Sequence, residues 1–354
     1  MTSNRQERFA GAGAVRSGQG FDSDSLADWM RAHVPGFRGP ITVEQFKGGQ
    51  SNPTYKLITP GRLYVLRRKP PGVLLAGAHA VEREYRVLEA LGKAVFPVAP
   101  VHALCEDEAV IGTTFYVMDM VEGRIFWDST LPGLTAGERP AYFDAMNAAI
   151  ARLHGLDHQA LGLGDYGKPG NYFARQIARW SRQYREDVEA GRLDDMDWLA
   201  DWLPGHVPSG DETSIVHGDF RADNMIWHPT EPRILAVLDW ELSTLGHPLA
   251  DFTYHLMMYR LPPRIIGGFD GADLRPLAIP SEAAYVAAYC ARTGRTDGID
   301  SLPFYLAFNM FRFAAILHGI KGRMARGTAA SPEAQSLVDT LPELAAIARR
   351  TASR

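Results

Sequence analysis

Apolar positions along the chain follow two different periods, and the character changes about a third of the way in. From Asp22, "DSDSLADWMRAHV" opens on Asp and Ser and continues with Leu26, Trp29, Met30 and His33 at helical spacing, which predicts a first helix. After Pro40 the runs "ITVEQFK", "TYKLIT" and "RLYVLRR" are short, β-branched and aromatic. GGQSNP and PG separate them, so they predict consecutive antiparallel strands. "KPPGVLLAGA" reads as a loop. "HAVEREYRVLEAL" puts Val81, Tyr85, Leu88 and Leu91 on one face of a helix that stops at Gly92, and "AVIGTTFYVMDMVEG" gives two further strand-like segments ending at Gly123.

The remainder is helical in pattern: "YFDAMNAAIARLHGL", "YFARQIARWSRQYREDVEA", "EAAYVAAYCART" and "FYLAFNMFRFAAILHGIKGRMA" are amphipathic or largely apolar helices. One β-element interrupts them, because "NMIWH", the turn "PTEP" and "RILAVLDW" predict a hairpin. The expected class is α+β with two lobes, a small antiparallel β-lobe over 21–122 and a helical lobe over 123–354. The opening MTSNRQERFAGAGAVRSGQG has little to bury and reads as a disordered arm over 1–20.

Composition narrows the function classes. A chain of 354 residues that is 46% hydrophobic has enough apolar content for a sizeable core. Its formal charge of −4, with the signs mixed, gives no basic surface for nucleic acid. Cys105 and Cys290 are too few and too far apart for a disulfide framework or a thiolate metal site, which fits a reducing, cytoplasmic compartment. No apolar run reaches the roughly 18 residues that a membrane-spanning helix needs, so a membrane partner is not expected.

The chemistry concentrates in "HGDFRADN", residues 217–224, and the hairpin that follows it. Antiparallel neighbours lie about 5 Å apart, so a turn near Thr230 and Glu231 brings Asn224 and Asp239 to within a residue or two of facing each other, with Asp219 just upstream. All three carry oxygen donors, and a carboxylate plus an amide with room for water suits Mg²⁺. Metal on Asn224 and Asp239 leaves Asp219 to take a proton from a hydroxyl while phosphate charge is neutralised, the division of labour that phosphoryl transfer requires.

The spacing of "HGDFRADN" is the H-x-D-x-x-x-x-N of protein kinases, and "VLDWE" stands where they have D-F-G. With HGD and DWE, the pair resembles the aminoglycoside phosphotransferase and choline kinase-like family. "YVLRRKPPGVLLAGAHAVEREYRVLEAL" and "VLDWELSTLGHPLADFTYHLMMYR" are similar to the kinase-like domain found fused to acyl-CoA dehydrogenases. The resemblance implies a bilobal protein-kinase-like fold whose first lobe binds nucleotide. It further implies ATP and Mg²⁺ as cofactors, a small hydroxylated acceptor, and a functional link to an acyl-CoA dehydrogenase.

Residue by residue, the resemblance makes Asp219 the catalytic base, Asn224 a metal ligand and Asp239 the metal-bridging carboxylate. "KGGQSNPTYKL" stands at the nucleotide-positioning loop, where Gly48 and Gly49 admit phosphate and Gln50, Ser51 and Asn52 offer amides. Arg67 stands where the family's third-strand lysine would be, and Glu84 matches its helix partner, with Glu82 competing. Asp119, Met120 and Val121 match the segment that holds the nucleotide base. His217 braces the loop, Asp251 matches a structural aspartate, and His247 departs from the usual GDP. Arg221 and Glu241 are placed on the acceptor side, and Arg260, Arg264 and Arg275 lie in a segment suited to an anionic hydroxy acid or hydroxyacyl-CoA. Three other readings stay open: an aminoglycoside or amino-alcohol kinase, a catalytically silent kinase-like module, and a metal hydrolase using His217, His228, His247 and His255.

Overall fold

The Asp22 carboxylate accepts hydrogen bonds from the amides of Asp24 and Ser25 and so starts helix α1, Ser23–His33, which is described with the rest of the chain in a computed structural model. The described residues are 11–47, 52–70, 72, 79–327 and 332–354. They have the α+β, protein-kinase-like fold expected, in two compact units. One takes the chain up to Trp127 together with His158–Tyr166 and Ala222–Ser243. The other takes Asp128–Asp157, Gly167–Arg221 and Thr244–Arg354.

In the first unit, β1 (Ala12–Gly13), β2 (Thr42–Phe46), β3 (Thr54–Ile58), β4 (Leu63–Arg68), β5 (Val101–Cys105) and β6 (Phe115–Asp119) form one antiparallel sheet ordered β1-β2-β3-β4-β6-β5. Side-chain alternation decides its faces. Tyr64 and Leu66 of β4 join Tyr55, Leu57, Phe115, Val117 and, from α1, Leu26 and Met30 in one buried cluster. A fully buried Leu or Phe contributes roughly 1.5–3 kcal/mol, so this cluster anchors the sheet. Arg67 alternates to the opposite face, towards helix α2 (Val81–Lys93). The strand that carries it is interior, between β3 and β6.

Three expectations are corrected in this unit. Of the two segments read in "AVIGTTFYVMDMVEG", only β6 is a strand. The 109–114 stretch turns instead, with Ile111 buried in the cluster and Gly112 at φ +86°. The strand beside β6 is β5, whose partly exposed edge gave no clear alternation. Helix α2 runs past Gly92 to Lys93. Residues 11–20, read as part of a disordered arm, are held by β1–β2 pairing and by backbone acceptors. The Gln19 carbonyl accepts from Tyr55 Oη and Arg68 Nη2, each at 2.8 Å, and Arg16 Nη2 donates to the Lys47 carbonyl at 2.8 Å. A composition poor in apolar residues gives no sign of anchoring through carbonyls.

The hairpin β8 (Met225–Trp227) and β9 (Ile234–Val237) also belongs to this unit. Reciprocal hydrogen bonds between Arg124 and Trp227, at 2.9 and 2.8 Å, and one from the Val237 amide to the Pro97 carbonyl at 2.8 Å tie it there.

The second unit is helical. Its elements are α3 (Arg139–His154), α4 (Tyr172–Glu186), α5 (Asp194–Trp202), α6 (Pro248–Leu256), α7 (Glu282–Thr293), α8 (Leu302–Ala325), α9 (Pro332–Val338) and α10 (Leu341–Ala352), with the strand pair β7 (Ser214–Val216) and β10 (Thr244–Gly246). The four helices read from the sequence are α3, α4, α7 and α8. Among the described residues, no helix is long and apolar enough to cross a membrane.

His247, the departure from GDP, caps α6: its Nδ1 accepts from the Leu249 amide at 3.2 Å. Burial lowers it to about 4, and burial likewise lowers His255 to about 4, from an ordinary value of 6.5. Both are neutral when folded and protonate more readily when unfolded. Their stabilisation is therefore complete above pH 6.5 and lost as the pH falls from there towards 4, at about 1.4 kcal/mol per pH unit for each imidazole. Urea midpoints between pH 7.5 and 4.5 should show this slope. His247→Asn keeps an N-cap acceptor and should make the slope shallower by one imidazole, and an unchanged slope would contradict the assignment.

Candidate active site

The hairpin register sets the first group of residues. Met225 faces Val237, and the Leu238 amide donates to the Asn224 carbonyl at 2.8 Å, so Asp239 follows one residue beyond the Asn224 partner, as the turn position predicted. Asp239 has φ +64° and ψ +65°, a left-handed conformation costly for a residue with a Cβ and concentrated at functional positions. The next residue, Trp240, is anchored by its Nε1, which donates to the Val237 carbonyl at 2.9 Å, and by an edge contact with Phe96.

Arg67 gathers three carboxylates in the same unit. Its Nε lies 2.7 Å from Glu84 Oε2, and its Nη2 lies 3.0 Å from Asp239 Oδ1 and 3.5 Å from Glu241 Oε2. Glu82, the competing partner, pairs instead with Lys69 at 2.9 Å. Glu84 is nearly fully buried and is held from two further sides, by Asn52 Nδ2 at 2.8 Å and Tyr116 Oη at 3.2 Å. Burial pushes its carboxyl up, while Arg67 and these donors pull it back; the three surrounding carboxylates push Arg67 further into its charged form.

Asn52 was expected to offer a backbone amide to phosphate. Its fully buried side chain bridges Glu84 and His79, while Gly48, Gly49, Gln50 and Ser51 lie outside the described residues. Glu241, expected on the acceptor side, sits in the Arg67 cluster. The amides of Asp119 and Met120 donate to the Pro100 and Leu63 carbonyls, and the Asp119 carboxylate holds Arg62 and His102.

The second group belongs to the helical unit. Helix α6 presents Asp251, Tyr254 and His255 at i, i+3 and i+4, on one face. Each holds a different part of the loop. Asp251 accepts from the amides of His217 at 2.7 Å and Gly218 at 2.8 Å, Tyr254 Oη donates to Asp219 Oδ1 at 2.7 Å, and His255 Nδ1 donates to the Phe220 carbonyl at 3.2 Å. Gly218 has φ +86°, and Arg312 Nη2 donates to its carbonyl at 3.2 Å. The Asp219 amide in turn donates to His217 Nδ1 at 3.1 Å, the bracing expected of that histidine.

Burial would raise the Asp251 carboxyl, yet the His154 imidazole and the His217 amide outweigh it and keep it below its ordinary value. Burial and the neighbouring Asp219 push the Tyr254 hydroxyl up, so it remains a donor. Arg221, expected to meet the acceptor, has its Nε 3.3 Å from Asp219 Oδ1. Sequence reading missed the loop-holding roles of Tyr254, His255 and Arg312, with His255 placed only in the hydrolase reading, and it gave Asn52 a backbone rather than a side-chain part. The signal for the first two was present in "PLADFTYH", as polar residues at helical spacing in an otherwise apolar stretch.

Several other predicted ligands are already committed. Arg260 pairs with Glu282 at 2.7 Å, Arg264 with Glu343 at 2.7 Å and Arg275 with Asp273 at 2.9 Å, so this segment does not present a row of unpaired cations to an anionic acceptor. Of the four histidines in the hydrolase reading, His228 accepts from the turn amides of Thr230 and Glu231, and His217, His247 and His255 have the loop and cap roles above. Among the described residues, no group of three or more His, Cys, Asp or Glu side chains is placed to hold a metal ion. Asn224 and Asp239 supply an amide and a carboxylate, a fit for a hard cation that takes the rest of its shell from water and phosphate.

Comparison with known proteins gives the family and the fold. The sequence model of the phosphotransferase enzyme family matches residues 42–298. The mouse (Mus musculus) protein called acyl-CoA dehydrogenase family member 10 is 44% identical over 337 residues, covering 94% of this chain and 31% of that protein. The chain therefore spans about a third of that relative's length. A crystal structure from Ralstonia eutropha JMP134, provisionally named an aminoglycoside phosphotransferase, is 53% identical. It superposes with a TM-score of 0.87 over 94% of this chain and 99% of that one. A thermostable mutant of an aminoglycoside phosphotransferase, in ternary complex with AMP-PNP and hygromycin B, shares the fold at a TM-score of 0.57 and 17% identity, over 93% of this chain and 99% of that one. By family match, relatives and fold, the chain belongs to the phosphotransferase enzyme family and is a small-molecule kinase.

Proposed function

We propose that the chain transfers the γ-phosphoryl group of ATP, with Mg²⁺, to the hydroxyl of a small acceptor, a hydroxy acid or hydroxyacyl-CoA. The observation that carries the nucleotide half is the Arg67 cluster. One guanidinium faces both Glu84, at 2.7 Å, and Asp239, at 3.0 Å, which joins the helix carboxylate to the carboxylate at the end of the hairpin through a single cation suited to phosphate. Asn224 and Asp239 would hold Mg²⁺, which when bound neutralises phosphate oxygens. Arg67, positioned by Glu84, would meet the α- and β-phosphates, and the segment from Asp119 to Val121 the base. Asp219 would accept the hydroxyl proton, its Oδ1 fixed by Tyr254 and Arg221.

The acceptor class rests on kinship with a protein named as an acyl-CoA dehydrogenase, since a phosphorylated hydroxyl is a better leaving group for later acyl-chain chemistry. Two free, buried cysteines accord with a cytoplasmic setting. A screen of ATP consumption against hydroxyacyl-CoAs, free hydroxy acids, aminoglycosides, choline and sugars tests this reading. Turnover confined to aminoglycosides or choline would remove the acyl acceptor, and no turnover with any of them would favour the silent module. Asp239→Ala should weaken Mg-ATP binding itself, by about a hundredfold or more, as measured by titration calorimetry.

A further inference from the structure

We propose that Arg67 is a counter-ion of Asp239, so that a divalent cation must compete with this guanidinium for the carboxylate. The inference rests on the assignment of Asp239 to the metal. Arg67 uses the separate corners of its fork: Nε is 2.7 Å from Glu84, while Nη2 is 3.0 Å from Asp239 and 3.5 Å from Glu241. Its Nη1 donates to Thr54 Oγ1 at 3.5 Å. A lysine at this position is a point charge on a flexible stem and does not reproduce a planar fork that reaches Glu84 and Asp239 from different nitrogens. The arginine therefore adds a second, competing use for the metal carboxylate.

The fork also makes Glu84 part of the balance. Glu84 draws the guanidinium towards α2 through Nε, and Asp239 draws it towards the hairpin through Nη2. Strengthening one attachment leaves less of the charge for the other. Phosphates bound with the cation would give the Arg67 guanidinium a new acceptor in place of Asp239, while Nε keeps Glu84. Metal alone offers Arg67 no new acceptor in place of Asp239 and should bind more weakly than metal with nucleotide.

The test titrates Mn²⁺ alone into the nucleotide-free full chain, following free Mn²⁺ by electron paramagnetic resonance. Arg67→Lys should bind Mn²⁺ about tenfold more tightly than the wild type, equivalent to about 1.4 kcal/mol. Glu84→Gln should bind it several-fold more weakly, because Arg67 is then balanced chiefly by Asp239 and Glu241. Opposite shifts cannot come from general loosening of the fold, which thermal melts would report separately. Asp239→Asn should lose the Mn²⁺ site in every background. If Asp239→Asn binds Mn²⁺ as the wild type does, the metal assignment itself fails. If it loses Mn²⁺ but Arg67→Lys binds no more tightly, or both other variants shift in the same direction, the assignment stands and the counter-ion exchange is wrong.

Discussion

Replacing Asp219 by asparagine is expected to lower kcat by about 10²–10⁴-fold, the range for loss of a general base, while Mg-ATP affinity and thermal stability stay near those of the wild type. The geometry separates these effects. Asp219 Oδ1 accepts from Tyr254 Oη at 2.7 Å and faces Arg221 Nε at 3.3 Å, and an asparagine oxygen can take both contacts. Its amide nitrogen cannot accept a proton from an acceptor hydroxyl. The backbone contact to His217 does not involve the side chain, so the loop keeps its shape. Single-turnover kinetics alongside nucleotide titration would check the split. Unchanged turnover would remove Asp219 from the role of base, and a parallel loss of nucleotide affinity would mean that it serves the phosphates instead.

The parts of this site that the sequence revealed are those governed by short-range rules. Strand alternation placed Arg67 opposite Tyr64 and Leu66, and the hairpin turn placed Asn224 near Asp239, because both follow from a period of two and a known turn position. The resemblance, and not such rules, favoured Glu84 over Glu82 in the sequence, since two residues of one helix turn differ only in which face meets β4. That choice is made by the buried donors Asn52 and Tyr116, which come from distant strands or loops. The anchoring of residues 11–20 by carbonyl acceptors was similarly invisible, because the backbone carries no sequence signature. The arginines at 260, 264 and 275 misled for the converse reason. A positive charge is legible in sequence, but the acidic partners of Arg260 and Arg264, Glu282 and Glu343, lie farther along the chain, and only the partner of Arg275, Asp273, is local. Helix α6 was an avoidable omission, for Asp251, Tyr254 and His255 announce a single polar face.

That face leads to the second large effect, in which Asp251→Ala is expected to destabilise the protein by about 3–5 kcal/mol and to abolish most activity with it. Asp251 is almost fully buried and accepts from the His217 and Gly218 amides and from His154 Nε2 at 3.2 Å. Alanine leaves two buried amides without their acceptor, each costing roughly 1–3 kcal/mol, and takes from the His154 imidazole one of its two partners, the other being Tyr289 Oη. The Tyr254, His255 and Arg312 contacts remain, but the turn at Gly218, φ +86°, loses both of its amide anchors, so Asp219 is held less firmly. The expected signature is therefore a lowered urea midpoint together with a lowered kcat, in contrast to Asp219→Asn, which lowers kcat alone. Asp251→Asn, which keeps one acceptor oxygen, should fall between wild type and alanine on both measures. Loss of activity at full stability in Asp251→Ala would count against a bracing role, because it would require the carboxylate to take part in the reaction itself.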